Sequence, residues 1–177
     1  QRDSRKLIQS YVQGKSVLNT FCYTGGFSIV ALAAGATNVH SVDQSQAALD
    51  ILEKNLLLND IDATTHKSTA ADVLTLLKDQ VPTYDVIVVD PPAYAKSKAK
   101  RHKAVQAYKR LNASAIKKIK PHGIIFTFSC SQAVDQELFY NTIAAAAIEV
   151  GRRLEYSIYC SNLSIILFLS TVKKNAI

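Results

Sequence analysis

The sequence predicts a single α/β domain in which helices cover both faces of a mostly parallel sheet. Strand-sized apolar runs alternate with helical patterns from Val17 to Gly151, and this alternation requires parallel strands joined by right-handed crossovers. The two last strand-like runs, residues 154–159 and 163–169, are separated by only three residues, and such a short link makes an antiparallel hairpin. The 177 residues are enough for one full core, with 48% hydrophobic and 20% charged residues. We therefore expect seven strands, with the hairpin at the end.

The first predicted unit is a strand, a tight loop and a helix. An apolar run ends at Phe21, Gly25 and Gly26 follow, and residues 27–34 form an Ala-rich apolar run. Glycines allow a backbone to approach a ligand closely, and a helix start offers free N–H groups to a carboxylate or phosphate. Gly35 is the predicted left-handed cap of this helix. The alternative interpretation is a plain turn between strand and helix.

An acidic residue, Asp43, ends the second predicted strand. A carboxylate at this position of a doubly wound sheet typically holds ribose hydroxyls. The alternative is a surface aspartate without a ligand. Ser45 follows as the predicted N-cap of the next helix.

The remaining helices and strands are predicted from apolar patterns, some weak and some strong. Residues 2–11 have a weak helical pattern, and a short third strand is expected at 62–66. The run Val86-Ile87-Val88-Val89 is continuously apolar, as in a strand that is buried on both faces. The other expected elements are strands at 17–21, 39–43, 84–90 and 123–129, and helices at 71–80, 104–119 and 134–151.

The loop Asp90-Pro91-Pro92-Ala93-Tyr94 follows the fourth strand. Its two prolines restrict the backbone and remove two N–H donors, so the carboxylate of Asp90 is presented at a fixed place. Tyr94 could stack on a planar ring. The alternative is a rigid turn that carries a strand-end aspartate.

Cys130 lies between two serines just after a strand that is predicted to be buried. It is either a small buried hydrophobic residue or a nucleophile whose pKa the start of the following helix lowers. We expect structural roles for Cys22 and Cys160. Neither the cysteines nor the four histidines have metal-ligand spacing, so we expect no metal and a reducing, cytoplasmic environment.

The net charge of +7 is unevenly distributed. Ten of the 21 basic residues fall in a segment after Pro91 that contains no Asp or Glu. Such a cluster favours contact with a polyanion, and the alternative is a solvated surface. No apolar run has the length of a membrane span, and there is no signal-peptide pattern. The cluster consists of Lys96, Lys98, Lys100, Arg101, Lys103, Lys109, Arg110, Lys117, Lys118 and Lys120.

Four motifs in order resemble one enzyme class. They are residues 21–27 (FCYTGGF), Asp43, Asp90-Pro91-Pro92 and residues 128–131 (FSCS), and the opening residues 1–5 (QRDSR) match as well. Together they resemble the S-adenosyl-L-methionine-dependent methyltransferases of the Rossmann-like class I fold, most closely the bacterial 23S ribosomal RNA cytosine-C5 methyltransferases. The resemblance extends from Gln1 to about Tyr156.

The resemblance implies a role for ten residues. Asp43 would bind the ribose hydroxyls of the cofactor, Asp72 would lie beside its adenine, and Gln1 and Arg2 would close over it. Asp90 would face both the cofactor and the target base, and Cys130 would be the nucleophile. The methionine part would be lined by Tyr23, Thr24, Gly25 and Gly26.

The implied activity is methyl transfer to C5 of a cytosine in 23S ribosomal RNA through a covalent cysteine adduct. A related group that methylates a ring nitrogen of guanine lacks the cysteine of the fourth motif, so Cys130 favours cytosine. A cofactor-binding or RNA-binding fragment without catalysis is the alternative outside the enzymes.

The chain also departs from this family. The family carries an N-terminal RNA-binding module and a middle domain that are absent here, so we expect a catalytic-domain fragment of a longer protein. A Pro-rich acidic loop of the family is replaced by Cys160-Ser161-Asn162, and the tail at 173–177 does not match. The oligomeric state stays open.

Overall fold

The computed structural model describes residues 2–78, 81, 83–95, 97–161 and 164–170. Its strands are β1 (Ser16–Thr20), β2 (Asn38–Asp43), β3 (His66–Ala70), β4 (Tyr84–Val89), β5 (Ile119–Phe128), β6 (Arg153–Ser161) and β7 (Ser164–Ser170). Its helices are α1 (Arg2–Val12), α2 (Gly26–Ala33), α3 (Gln46–Leu58), α4 (Val73–Leu76), α5 (Arg101–Lys118) and α6 (Gln136–Val150). Turns of 3-10 helix span Ala63–Thr65 and Lys98–Lys100.

One seven-stranded sheet with the order β3-β2-β1-β4-β5-β7-β6 organises the chain. Strands β1 to β5 pair with one another in parallel, while β7 runs antiparallel to both β5 and β6. The strand order reverses where β1 pairs with β2 on one side and β4 on the other. The predicted Rossmann-like α/β fold with a C-terminal antiparallel hairpin is therefore confirmed.

The central strands are buried on both faces, as the apolar run in β4 predicts. Ile87 and Val89 join the core that lies under α5 and α6, whereas Val86 and Val88 join the core under α1 and α2. All four side chains are at most 1% exposed. Alternate residues of one strand thus hold a helical layer on each side of the sheet.

The predicted position of the third strand, at 62–66, is wrong. The carboxylate of Asp62 accepts a hydrogen bond from the Thr64 N–H (2.9 Å) and so begins a 3-10 turn, and β3 starts only at His66. No residue of β3 is fully buried, because β3 is an edge strand. An edge strand with little burial needs no apolar alternation, which explains the error.

Two further boundaries differ from the prediction. The helix expected at 71–80 has only the four residues of α4, with Asp72 as its N-cap, and residues 79–80 lie outside the described part. Strand β5 begins at Ile119 rather than Gly123: Ile119 pairs with Tyr84, and the register then shifts so that Ile124 pairs with Val86. Pro121 lies inside this irregular stretch, where a proline normally indicates a strand end.

Several expected boundaries agree closely with the structure. Ser45 caps α3 by accepting a hydrogen bond from the Ala48 N–H, and Gly35, after α2, has the expected left-handed conformation (φ 86°). In the final hairpin, residues 162–163 lie outside the described part. Among the helices that the structure describes, none is both long and apolar enough to cross a membrane.

Candidate active site

A cavity of about 450 Å³ opens at the carboxyl ends of the parallel strands. This is the switch point of the sheet, where α/β proteins of this kind bind their ligands. Four candidate site residues predicted from the sequence meet here, one at the end of each of β1, β2, β4 and β5 or in the loop after it: Tyr23, Asp43, Asp90 and Cys130. The lining consists of Phe21, Tyr23, Asp43, Gln44, Asp90, Pro91, Pro92 and Cys130.

Asp43 hydrogen-bonds to two backbone segments beside this cavity, the loop after β1 and the start of α3. One carboxylate oxygen accepts a hydrogen bond from the Tyr23 N–H (2.9 Å), and the other accepts one from the Ser45 N–H (2.9 Å). Each carboxylate oxygen has room for a second donor. Asp43 can therefore support the loop after β1 and still accept hydrogen bonds from hydroxyl groups of a ligand.

The loop after β1 has an uncommon backbone conformation. Phe21 (φ 54°) and Tyr23 (φ 49°) both lie in the left-handed region, which bulky residues rarely adopt. Both side chains line the cavity, and Tyr23 is 70% exposed. Strained residues of this kind cluster at ligand sites, where the surrounding structure enforces them.

The glycines of the loop contact protein rather than the cavity. A Cβ added to Gly25 (φ 84°) would lie 2.5 Å from Cγ of Leu52, and one added to Gly26 would lie 2.7 Å from a guanidinium nitrogen of Arg5. Packing against Leu52 and the positive φ thus favour glycine at position 25, whereas the Arg5 guanidinium near Gly26 is the end of a flexible side chain and can shift. Thr24, Gly25 and Gly26 are absent from the cavity lining, and the Thr24 carbonyl accepts a hydrogen bond from Asn55 (3.0 Å).

The start of α2 nevertheless suits an anionic group. Gly25 is the N-cap and offers no side chain to the N–H groups of the first turn. These N–H groups therefore need another acceptor, which a carboxylate could supply.

Gln44 is a cavity residue that the sequence analysis did not single out. Its amide donates to Asp72 (3.0 Å), whose other carboxylate oxygen accepts the Thr75 N–H (2.8 Å). Hydrogen bonds from Thr75, more than that from Gln44, hold the pKa of Asp72 below its usual value. Asp72 lies beside the cavity and orients Gln44 rather than lining it. The one sequence signal for Gln44 is its place directly after a strand-end acid.

Cys130 presents a free, exposed thiol to the cavity. Partial burial and, next, the negative charge of Asp90 raise its pKa. The expected lowering of this pKa by a helix start is wrong. Helix α6 begins only at Gln136, and the side chain of its N-cap Asp135 already accepts the Leu138 N–H.

The thiol of Cys22 differs from that of Cys130. Cys22 is buried, and burial raises its pKa to about 12. This environment agrees with the structural role expected for Cys22. The side chain of Cys160 lies outside the described part of the chain.

Ser131 connects the two loops that carry Asp90 and Cys130. Its hydroxyl accepts a hydrogen bond from the Ala95 N–H (3.1 Å) and shares another with the Tyr108 hydroxyl (2.9 Å). The Ser131 N–H in turn donates to the hydroxyl of Ser129 (3.3 Å). All of these groups are buried, so the positions of the two loops depend on each other.

Tyr94 packs into the core instead of lining the cavity. Its ring lies edge-on to Tyr108 with the centroids 4.8 Å apart, and burial raises its pKa to about 12. Phe21 and Tyr23 are the aromatic residues of the cavity lining. Any stacking on a planar ligand therefore falls to them rather than to Tyr94.

The remaining sequence candidates are Gln1 and Arg2. Arg2 begins α1, but its side chain and the whole of Gln1 lie outside the described part of the chain. Of the four histidines, His40 is hydrogen-bonded to the hydroxyls of Tyr84 (2.7 Å) and Thr69 (2.8 Å). Within the described chain, no group of three or more His, Cys, Asp or Glu side chains could hold a metal ion.

Proteins of similar sequence are ribosomal RNA methyltransferases. The chain is 44% identical over 155 residues to ribosomal RNA large subunit methyltransferase I of Aeromonas hydrophila, covering 86% of this chain and 39% of that protein. It is 44% identical over 161 residues to the protein of the same name from Vibrio vulnificus, covering 88% and 41%. The chain thus spans about two fifths of the length of these relatives.

Solved structures share the fold. The crystal structure of SMU.776 complexed with SAH superimposes with a TM-score of 0.80 at 22% identity, over 97% of this chain and 49% of that one. NSun6 from Pyrococcus horikoshii, solved with SFG, gives a TM-score of 0.73 at 15% identity, over 96% and 51%. A family model described as "Conserved hypothetical protein 95" matches residues 5–140, from α1 into α6. The chain therefore belongs to this family.

Proposed function

We propose that the protein is an S-adenosylmethionine-dependent methyltransferase that modifies C5 of a cytosine in 23S ribosomal RNA. The observation that carries this proposal is the meeting of an exposed thiol, Cys130, with the carboxylate of Asp90 in one cavity at the switch point. The names of the similar proteins support ribosomal RNA as the substrate and methyl transfer as the reaction.

The cavity suits S-adenosylmethionine in size and in chemistry. Its volume of about 450 Å³ is in the usual range of small-molecule sites. Asp43 can accept hydrogen bonds from ribose hydroxyls, and the free N–H groups at the uncapped start of α2 can donate to the carboxylate of the methionine part. The cofactor would supply an electrophilic methyl group.

Further residues complete this proposed cofactor site. Asp72 would lie beside the adenine and would hold Gln44, which lines the cavity, against the adenine edge. The remaining contacts, which rest on the family resemblance, would come from Gln1, Arg2, Tyr23, Thr24, Gly25 and Gly26.

Cys130 makes an otherwise unreactive carbon reactive. C5 of cytosine is a poor nucleophile because it belongs to an aromatic ring. When the sulfur of Cys130 adds to C6, a C–S bond forms, the ring electrons move toward N3, and C5 becomes enamine-like. C5 can then accept the methyl group. Loss of the C5 proton to a base, and return of the N3 proton to Asp90, finally break the C–S bond, expel the thiolate and restore the ring.

Asp90 has two roles in this scheme. The raised pKa of Cys130 means that the resting site holds a thiol, which must lose its proton before or during attack. Asp90, whose charge acts on Cys130, can take this proton and donate it to N3 as electrons arrive there. The target base must also leave its stack to reach a strand end, as base-modifying enzymes generally require.

The related reaction at a ring nitrogen of guanine is the second candidate. A ring nitrogen has its own lone pair, so this reaction needs no thiol. The exposed position of Cys130 in the cavity favours cytosine for that reason.

RNA carrying 5-fluorocytidine tests the covalent step. Fluorine at C5 blocks the final elimination, so the complete protein with S-adenosylmethionine should form an RNA adduct that survives a denaturing gel. Cys130→Ala should abolish the adduct and turnover while cofactor binding persists. Cys22→Ala, at the buried cysteine of the loop after β1, is the matched control and should retain both. Methylation of cytosine by Cys130→Ala at a near wild-type rate would refute the proposal.

A further inference from the structure

The outer face of α5 carries three cations at regular spacing. Lys103, Arg110 and Lys117 are seven residues apart, so each lies two helical turns, about 10.5 Å, from the next on the same side of the helix. The opposite side, with Tyr108, Leu111 and other buried residues, packs into the core. We call these three cations the α5 basic face.

Other cations of the acid-free segment have structural partners. Lys118 is only 6% exposed, and the ammonium group of Lys120 lies 3.1 Å from the Asp85 carboxylate. Lys109 forms an ion pair of 2.7 Å with Glu149. The structure therefore divides the charge cluster, which the sequence predicts to be one polyanion contact, into paired and exposed cations.

A groove between α5 and α6 lies along the α5 basic face. It has a volume of about 200 Å³ and includes Arg110 and Lys117 together with hydrogen-bonding groups of Gln106 and Ser114. Among its lining residues the acid is Glu149, whose charge Lys109 already compensates and whose pKa is lowered by that contact. The Ser114 hydroxyl already donates to the Arg110 carbonyl, so the groove combines positive charge with one neutral donor, the Gln106 amide, and this pattern suits phosphate oxygens.

The α5 basic face begins beside the candidate active site. The Arg101 side chain, at the start of α5, donates to the Ala133 carbonyl (2.9 Å), three residues after Cys130. From there α5 runs for about 27 Å to the opposite edge of the sheet, where the Lys118 carbonyl accepts the Thr83 N–H (3.0 Å). An RNA strand that leaves the cavity can therefore follow α5.

We propose that the α5 basic face binds the phosphate backbone of the RNA strand next to the target nucleotide. This inference rests on the proposed RNA substrate. A straight row of evenly spaced cations follows one backbone and makes no demand on base identity, so it positions the strand without selecting its sequence. The sequence selectivity then has to come from elsewhere.

A charge-matched pair of variants tests the proposal. The first combines Lys103→Ala, Arg110→Ala and Lys117→Ala. The control combines Lys15→Ala, Lys54→Ala and Lys67→Ala, which removes the same charge from exposed positions in α3, in β3 and before β1. Circular dichroism checks that both variants are folded. Binding of a labelled RNA that contains the target cytosine is then measured in the complete protein from low to high salt.

Loss of three phosphate contacts should reduce the slope of log K against log salt by about 2 in the first variant, and by much less in the control. In methylation assays the first variant should raise KM for RNA with long flanks and leave kcat unchanged. It should not change KM for an RNA cut close to the target. Equal effects of both variants, no effect of the first, or equal effects on long and short RNA would each overturn the proposal.

Two other outcomes have distinct meanings. If the first variant loses thermal stability in the complete protein while its RNA slope is unchanged, the face contacts protein and the proposal is wrong. If the wild-type protein binds no RNA even at low salt, the proposed RNA substrate fails first, and the proposal about α5 falls with it.

Discussion

The hydroxyl of Ser131 holds together the two loops that carry Asp90 and Cys130, and its removal should destabilise the domain strongly. In Ser131→Ala the Ala95 N–H and the Tyr108 hydroxyl each lose a partner, and both groups are at most 1% exposed. A buried polar group without a partner costs about 1–3 kcal/mol. With two such groups, and some relaxation, we expect a loss of about 2–4 kcal/mol in the free energy of unfolding.

Urea denaturation of the 177-residue chain measures this loss, provided that the m-value stays constant. Ser114→Ala is the matched control, because its exposed hydroxyl bonds only to the Arg110 carbonyl of its own helix. The control should stay within about 0.5 kcal/mol of wild type. Tyr108→Phe removes the other end of one hydrogen bond, so the double variant should be less destabilised than the sum of the two single variants.

A second readout follows the loops themselves. If Ser131 positions Cys130 relative to Asp90, alkylation of Cys130 by iodoacetamide under native conditions should change in rate in Ser131→Ala and not in Ser114→Ala. A Ser131→Ala protein with wild-type stability and an unchanged alkylation rate would refute the reasoning.

Three further predictions concern the loop after β1, the cofactor and acid. Gly25→Ala should lower the thermal stability of the domain by more than Gly14→Ala. Both positions have positive φ, but only a Cβ at position 25 would clash with Leu52. Thermal melts compare the two variants, and equal losses of stability would contradict the packing argument. Asp43→Ala should weaken S-adenosylmethionine binding about tenfold to a hundredfold in calorimetry, because about 1–3 kcal/mol of binding free energy is lost. Asp50→Ala, at an exposed position of α3, should not weaken it, and unchanged affinity in Asp43→Ala would exclude the ribose contact. Burial lowers the pKa of His40 from 6.5 to about 4, so the unfolded chain binds more protons between these values and stability should fall as the pH drops from about 6.5 toward 4. His40→Gln should have a flatter profile over this range in urea denaturation, and an identical profile would show that His40 does not contribute.

The sequence predicts the middle of the sheet better than its edges. Val86 to Val89 form an apolar run because the strand is buried on both faces, and such a run is visible without any neighbours. The residues of β3 are largely polar because that strand has one neighbour and little burial. Because β3 is little buried, it lacks the apolar pattern from which its first and last residues could have been predicted.

The candidate site is divided in the same way. Strand-end residues Asp43, Asp90 and Cys130 can be anticipated, because parallel strands end at one edge of the sheet. Hydrogen-bond partners that are distant in sequence cannot be anticipated in this way. The hydrogen bond between Gln44 and Asp72, for example, spans 28 residues. That between Ser131 and Ala95 spans 36. The prediction that the pKa of Cys130 is lowered is wrong, because this pKa depends on where α6 begins and on which charge faces the thiol.

The loop after β1 is already fixed by the protein's own bonds. The Cys22 N–H donates to the Val42 carbonyl (3.1 Å), the Tyr23 N–H donates to Asp43, and Asn55 donates to the Thr24 carbonyl. Ordering a residue's backbone costs about 1–2 kcal/mol in conformational entropy. Here that entropy is lost when the domain folds, so a ligand meets a preorganised surface and its affinity is not reduced by loop ordering.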